Sequence, residues 1–321
     1  MRIKIDGISG KHGISKARSI VRALSAVQAS KKILRSFMPD AVVGTGGYVC
    51  WPVLVAARIM KIPTLIHESN SIPGLTTRLT AKKCDRVLLN IPACADYLVR
   101  KDNIRIVGNP LTNGFKRDGK IIARHELGIK SSDFFILSLG GSGGAAEINR
   151  AAIELMRSYS LKNEYIKHIH STGKSYYIEA ENKNPDLCHG IHGCKILPYI
   201  DNMNTMMSAA DLIICRAGAT TLSEISATAT PAILIPSPNV TDDHQYKNAK
   251  YYSDRGAAIL ITEEDIQESS HLVSAVRELY NDKKKCITLS ENAAKLNTPN
   301  ARNAIIKQIE EVVLEKKSQC N

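Results

Sequence analysis

Aromatic side chains are scarce in this 321-residue chain: they make up 5% of it, with one Trp and four Phe. Proteins that grip single-stranded nucleic acid stack bases on aromatic platforms set among basic residues. No such interleaving occurs in the sequence, so nucleic acid is not an expected partner. No run of about 18 apolar residues occurs either, which excludes a membrane-spanning helix and makes any membrane contact peripheral. An apolar leader is lacking at the start, and eight scattered cysteines fit reduced thiols of the cytosol better than a disulfide framework. There is no G-x-x-x-x-G-K-[ST] pattern for a P-loop, and the acidic partner a dinucleotide fold places about 20 residues after its glycines is not evident. No repeat of solenoid period appears.

What is present is a chain long enough for two hydrophobic cores, 44% hydrophobic and 23% charged. Its net charge of +12 is uneven. Residues 1–120 hold 21 Lys and Arg against 7 Asp and Glu, whereas the remainder holds 22 against 24. A basic half of this kind suits an anionic membrane leaflet or nucleic acid, or is a merely solvated face; charge alone does not choose. Residues 13–37 place Ile20, Leu24, Val27, Ile33 and Leu34 at helical spacing among Lys and Arg, with Pro39 as the stop. Short apolar runs then read as buried parallel strands, each followed by a turn and a helical pattern. They are Ala41 to Val43, Pro63 to His67, Arg86 to Leu89, Phe134 to Leu139, His168 to Thr172, Cys194 to Ile196, Leu212 to Cys215, Ala232 to Pro236 and Ala258 to Ile261. The Gly-, Asn- and Pro-rich stretch 108–119 reads as the interdomain linker. The expectation is α/β: two doubly wound, Rossmann-like domains, 1–113 and 114–321, facing each other across a cleft, with ligands at the carboxyl ends of the strands.

Four elements carry chemistry. Gly44-Thr-Gly-Gly-Tyr48 and Gly140-Gly-Ser-Gly-Gly144 each follow an apolar strand and precede a helical stretch. Glycine permits a sharp turn whose backbone N–H groups stay open to an anion, although tight turns use glycine in any case. In Cys215-Arg-Ala-Gly-Ala-Thr-Thr-Leu-Ser-Glu224 a strand ends and a helix opens at Ala219 to Thr221, where free N–H groups would meet a diphosphate. Glu224, one turn in, has the two oxygens a ribose diol would use, or simply complements the helix dipole. The run 236–248 (PSPNVTDDHQYKN) offers Asp242, His244 and Gln245 to sugar hydroxyls. A fifth cluster, Cys188-His-Gly-Ile-His-Gly-Cys194, has zinc-type ligands without a familiar zinc spacing or a second half-site; a turn with chance cysteines fits better, and no metal is expected.

Taken in order, PDAVVGTGGYV, IPTLIHESNSIPGLTTRL, VGNP, LGGSGGAAEIN, LPYIDNM, AADLIICRAGATTLSE and PAILIPSPNVTDDHQYKNA resemble the bacterial family that transfers N-acetylglucosamine from its UDP conjugate to undecaprenyl-pyrophosphoryl-muramyl-pentapeptide in peptidoglycan synthesis. The resemblance spans nearly the whole chain. It implies a two-lobed GT-B glycosyltransferase working by inverting displacement at the cytoplasmic face of the cell membrane, with no cofactor. UDP-N-acetylglucosamine, the lipid-linked muramyl-pentapeptide and an anionic membrane surface would be the partners. On this resemblance the donor site comprises Ser142 at the phosphates, Ile200 at uracil through its backbone, the helix start Ala219, Thr220, Thr221, Leu222 and Ser223, Glu224 at the ribose, Gln245 at the sugar, and Asn70 nearest the donor sugar. Gly46, Gly47, Tyr48, His67 and Glu68 would face the acceptor. Leu75, Arg78, Leu79, Lys82 and Lys83 would dock on the membrane, and the last helix would pack back on the first domain.

The sequence departs from the family's pattern in places. It begins after the family's first glycine-rich loop, so the first domain is expected to be incomplete, and the loop histidine usually taken as general base has no counterpart; the catalytic base stays unassigned. Ser69, Cys50, Trp51, Thr112 and Gly143 replace the family's usual residues. The alternative reading is therefore a catalytically incomplete UDP-sugar-binding or partner-dependent fragment. A UDP-sugar 2-epimerase would share the donor logic but not the GTGGYV and HESNSIPGL runs.

Overall fold

A computed structural model describes residues 14–318. They form two compact units: one takes in the chain up to Pro110 together with the stretch from Thr298 onward, the other runs Leu111–Asn297.

The first unit holds a parallel four-stranded sheet in the order β1 (Val42–Gly44), β2 (Thr64–Glu68), β3 (Arg86–Leu89), β4 (Ile104–Ile106). Its strands are near-continuous apolar runs because both faces are covered, as parallel sheets require. Ile66, Val87 and Leu89 turn to one face with Leu54, Ala81 and Cys94. Leu65 and Leu88 turn to the other, where Val107 and the terminal helix Ala301–Ser318 cover them through Val312, Ile305 and Ile309. Gly108 lets that helix approach: at φ +80° it already favours glycine, and a Cβ there would lie 2.6 Å from Thr298. Arg86 pairs with Glu315 across the same seam.

The helix Ile14–Phe37 packs Val27 and Leu34 on Ala56 and Ala57 of the helix Cys50–Ile59. Leu24, expected on its apolar stripe, is 60% exposed, and the side chain of Ile20 lies outside the described residues. The helix after the first glycine turn starts at Cys50.

The second unit is built on six parallel strands: β5 (Phe134–Leu139), β6 (Ile166–Ser171), β7 (Cys194–Leu197), β8 (Leu212–Cys215), β9 (Ala232–Leu234) and β10 (Ile259–Leu260). Their spatial order is β10-β9-β8-β5-β6-β7. The chain lays β5 to β7 in one direction, then returns to the other side of β5 for β8 to β10, which is the doubly wound order. Alternate residues serve the two faces, as a period of two demands. Phe135, Leu137, Leu139, Ile213 and Cys215 face one core, and Ile136, Leu212 and Ile214 the other. Each fully buried Leu or Ile contributes roughly 1.5–3 kcal/mol.

Candidate active site

In a doubly wound sheet the place for a ligand is the carboxyl edge where strand order reverses, here between β5 and β8. The register puts Leu139 beside both Ser171 and Cys215, Ser171 beside Leu197, and Cys215 beside Leu234. The loops that leave these residues therefore share one edge of one sheet. They carry Ser142, Ile200, Ala219 to Glu224, and Gln245.

The Gly140–Gly144 loop turns through a Gly144 N–H to Gly141 carbonyl bond of 3.0 Å, leaving Ser142 exposed ahead of the helix Ala146–Ser158. Gly144 stands at φ +79°, and a Cβ there would fall 2.0 Å from the Thr172 carbonyl oxygen, so only glycine fits between these two loops. Across the switch point the helix Ala219–Thr228 begins after Gly218, with Thr220 exposed and Ala219 and Thr221 half-buried. Its N-terminus carries about half a positive charge.

Two residues assigned to this helix start do not face the ligand edge. The Leu222 side chain is fully buried in the core, because one turn of helix rotates it inward. The Ser223 hydroxyl donates back to the Ala219 carbonyl at 3.0 Å.

Glu224 is half-buried, and burial pushes its carboxyl up from 4.5 to about 7, since desolvation disfavours the charged form. Ile200 is 4% exposed and keeps its side chain in the core, so that side chain is closed to a ligand. The Gln245 amide oxygen accepts from the Ser237 N–H at 2.9 Å, which turns its NH2 outward from that contact. Before it, Asp242 and Asp243 hold φ of 57° and 52°, a left-handed pair of a kind that clusters at functional loops.

Two supports were not singled out from the sequence. Arg216, at the end of β8, donates to the Ile235 carbonyl and pairs with Glu263, joining the loops after β8, β9 and β10. The buried Asn248 amide donates to the Ala217 carbonyl at 3.2 Å. A charged residue directly after a buried strand was the available signal for Arg216.

In the first unit the corresponding edge gathers the GTGG, HESN and VGNP segments. Gly46 and Gly47 make the turn after β1, with Tyr48 exposed, and Thr76 donates to the Gly47 carbonyl. His67 donates from Nε2 to the Gly108 carbonyl at 2.8 Å, and burial lowers its pKa. Glu68 does not present its carboxylate: at 5% exposure it accepts from the Asn70 N–H and amide, the Gly74 N–H and the Thr77 hydroxyl, at 3.2, 3.1, 3.0 and 2.7 Å. Asn70 thus sits with the acceptor-side group in this unit, while the other donor-site residues belong to the second unit.

The Cys188 to Cys194 run forms a helix end and a tight turn, with both thiols in an apolar cluster.

Residues 1–89 match the glycosyltransferase family 28 N-terminal domain and residues 135–309 its C-terminal domain. The chain belongs to glycosyltransferase family 28. Among curated family 28 relatives, the UDP-N-acetylglucosamine--N-acetylmuramyl-(pentapeptide) pyrophosphoryl-undecaprenol N-acetylglucosamine transferase of Oenococcus oeni is 36% identical over 320 residues, 99% of this chain and 84% of the relative. The enzyme of the same name from Halothermothrix orenii is 40% identical over 288 residues, 88% of this chain and 77% of the relative. The crystal structure of Acinetobacter baumannii MurG superposes with a TM-score of 0.74 at 26% identity, covering 96% of this chain and 83% of that one. The two parallel-sheet α/β units are those of the GT-B fold.

Proposed function

We propose that this glycosyltransferase moves N-acetylglucosamine from UDP-N-acetylglucosamine to undecaprenyl-pyrophosphoryl-muramyl-pentapeptide. The observation that carries the reading is the pairing, at the switch point of the second unit, of the Gly140–Gly144 loop with the N-terminus of Ala219–Thr228 and the protonatable Glu224 behind it. A UDP-sugar diphosphate fits the N–H-rich pair, and a ribose diol fits the carboxylate. The acceptor hydroxyl attacks the anomeric carbon, releasing its proton to solvent, as the bond to the β-phosphate breaks. UDP leaves with that electron pair, and the charge growing on its phosphate meets dipoles already pointed at it, which need no reorganisation. Glu68, with four donors on its carboxylate, organises its loop and is not the base for the attacking hydroxyl.

The membrane would be met by the first unit. On the helix Leu75–Thr80 and the turn Ala81–Lys83, the side chains of Thr76, Thr77 and Thr80 face inward, whereas Leu75, Arg78, Leu79, Lys82 and Lys83 are exposed. A cleft lined by Trp51, Leu54, Val55 and Arg58 continues from Leu79 and Lys83. Two apolar side chains among cations suit an anionic cytoplasmic leaflet, at about 1 kcal/mol per basic residue near the surface.

The test is transfer of labelled N-acetylglucosamine from UDP-N-acetylglucosamine to a soluble analogue of the lipid-linked acceptor, with co-sedimentation on phosphatidylglycerol and on phosphatidylcholine vesicles. Turnover, with retention on the anionic vesicles alone, is the expected result. A folded chain that binds UDP-N-acetylglucosamine yet never turns over would refute the transferase reading.

A further inference from the structure

Behind the glycine loop of the second unit lies a line of buried polar groups with no place in the mechanism above. His168 and His170, two apart on β6, are both fully buried and face the same side as Ser138 of β5. The Ser138 hydroxyl lies 2.8 Å from His168 Nε2 and 2.9 Å from His170 Nδ1. Beyond them, the Ser160 hydroxyl is 3.1 Å from His168 Nδ1, and the Asn149 amide oxygen is 3.1 Å from His170 Nε2. Asn149 in turn donates at 3.1 Å to the carbonyl of Thr172.

The carbonyl at the Thr172 end fixes every proton along the line. The Thr172 carbonyl only accepts, so Asn149 turns its NH2 to it and its oxygen to His170. That oxygen only accepts, so His170 carries its proton on Nε2 and leaves Nδ1 bare. The Ser138 hydroxyl donates to the bare nitrogen and takes the Nε2 proton of His168. His168 Nδ1 then receives the Ser160 hydroxyl. Five hydrogen bonds run in one direction, from Ser160 to Thr172, through two neutral imidazoles. Burial lowers both pKa values, to about 3 and about 4, in keeping with neutral rings. The competing arrangement, with the His170 proton on Nδ1 pointing to the Ser138 carbonyl at 3.1 Å, would set the bare Nε2 against the Asn149 oxygen.

The line ends where it matters for the donor. Thr172 offers Asn149 the same carbonyl against which Gly144 is packed, and Asn149 stands in the first turns of the helix that leaves the glycine loop. We infer that the Ser160–His168–Ser138–His170–Asn149 line is a positioning device: it sets the spacing of the Gly140–Gly144 and Thr172–Gly173 loops, and so aims the glycine-loop N–H groups at the donor diphosphate. This rests on the donor-site reading given above. An isosteric apolar set would fill the same volume without leaving a polar group unpaired; what it lacks is a directional hold on the loop.

Two measurements on the full chain test it. Nitrogen-15 NMR of the imidazoles at neutral pH should show His168 and His170 both neutral with the proton on Nε2; an Nδ1–H tautomer at His170 overturns the ordered line. Calorimetry with UDP-N-acetylglucosamine should show Asn149→Leu weakening binding by about tenfold or more, since a loop N–H no longer aimed at the diphosphate forfeits a charge-assisted hydrogen bond, with His170→Gln restoring part of the loss that His170→Leu causes. Leu279→Ala, a cavity in the apolar core of the same unit, should lower Tm and leave that affinity alone. If Asn149→Leu behaves as Leu279→Ala does, the line is only structural. If the unaltered chain fails to bind UDP-N-acetylglucosamine, the donor-site reading falls instead, and the NMR result still decides the proton order.

Discussion

Glu224 offers the sharpest link between burial and binding. Its carboxyl is raised from 4.5 to about 7 by desolvation, so near neutral pH the free protein holds it about half protonated. A ribose diol donates two hydrogen bonds, and only the carboxylate accepts both without a competing proton. Binding therefore selects the ionised form. With a pKa of about 7, that form falls from roughly 90% at pH 8 to roughly 10% at pH 6, a change of about tenfold in affinity or about 1.4 kcal/mol. Partial exposure of the group screens the effect and makes tenfold the upper end.

Calorimetry with UDP-N-acetylglucosamine, whose phosphates do not titrate in this range, at pH 6, 7 and 8 and in buffers of different ionisation enthalpy, reads both the affinity and the protons released. Affinity should rise toward pH 8, with net proton release near pH 7 that Glu224→Gln abolishes. Equal affinity at pH 6 and 8, or proton uptake, would refute the argument. In the absence of ligand the same shift acts on stability. Between about 4.5 and 7 the native carboxyl keeps a proton that the unfolded chain has released, so this contribution to stability falls as pH rises to 7.

The buried histidine pair has the opposite sign: below its unfolded pKa of 6.5 the unfolded chain binds protons that the native rings refuse, so stability falls as pH drops. In a Glu224→Gln background, urea unfolding of the second unit should lose about 4 kcal/mol between pH 7.5 and 5, about 2 per ring; equal midpoints would contradict the burial argument. Gly144→Ala, with its Cβ 2.0 Å from the Thr172 oxygen, should cost about 2–4 kcal/mol from overpacking and an unfavourable φ, seen in the same urea series as a lower midpoint. Glu68→Ala orphans four donors and should destabilise the first unit by about 3–5 kcal/mol. A Glu68→Gln protein of unchanged stability and no transferase activity would make Glu68 a base after all.

Much of the sheet framework was legible because parallel strands buried on both faces must be short apolar runs. Phe134 to Leu139, Leu212 to Cys215 and Arg86 to Leu89 coincide with β5, β8 and β3. The strand β4, Ile104–Ile106, escaped notice: three residues alternating Ile, Arg and Ile at a sheet edge look like loop. The glycine and Thr-Thr segments announced themselves through backbone chemistry that few other residues permit. Direction within a helix did not, which is why Leu222 and Ser223 were grouped with Thr220. Glu68 was misjudged because a lone carboxylate after an apolar strand looks the same whether it meets a substrate or its own loop. His168 and His170 gave no signal, since their meaning depends on Ser138 and Asn149, which are distant in sequence.

The first unit is closed by residues made after the whole of the second. Leu65, Leu88 and Val107 are covered by Val312, and Arg86 meets Glu315 at a separation of 229 residues. On the ribosome, that sheet face must wait, wet and apolar, while the whole continuous stretch Leu111–Asn297 emerges and has the chance to fold by itself. Contacts of such span slow folding: the continuous second unit is able to finish before the first, whose sheet face is completed only when the helix Ala301–Ser318 closes over it.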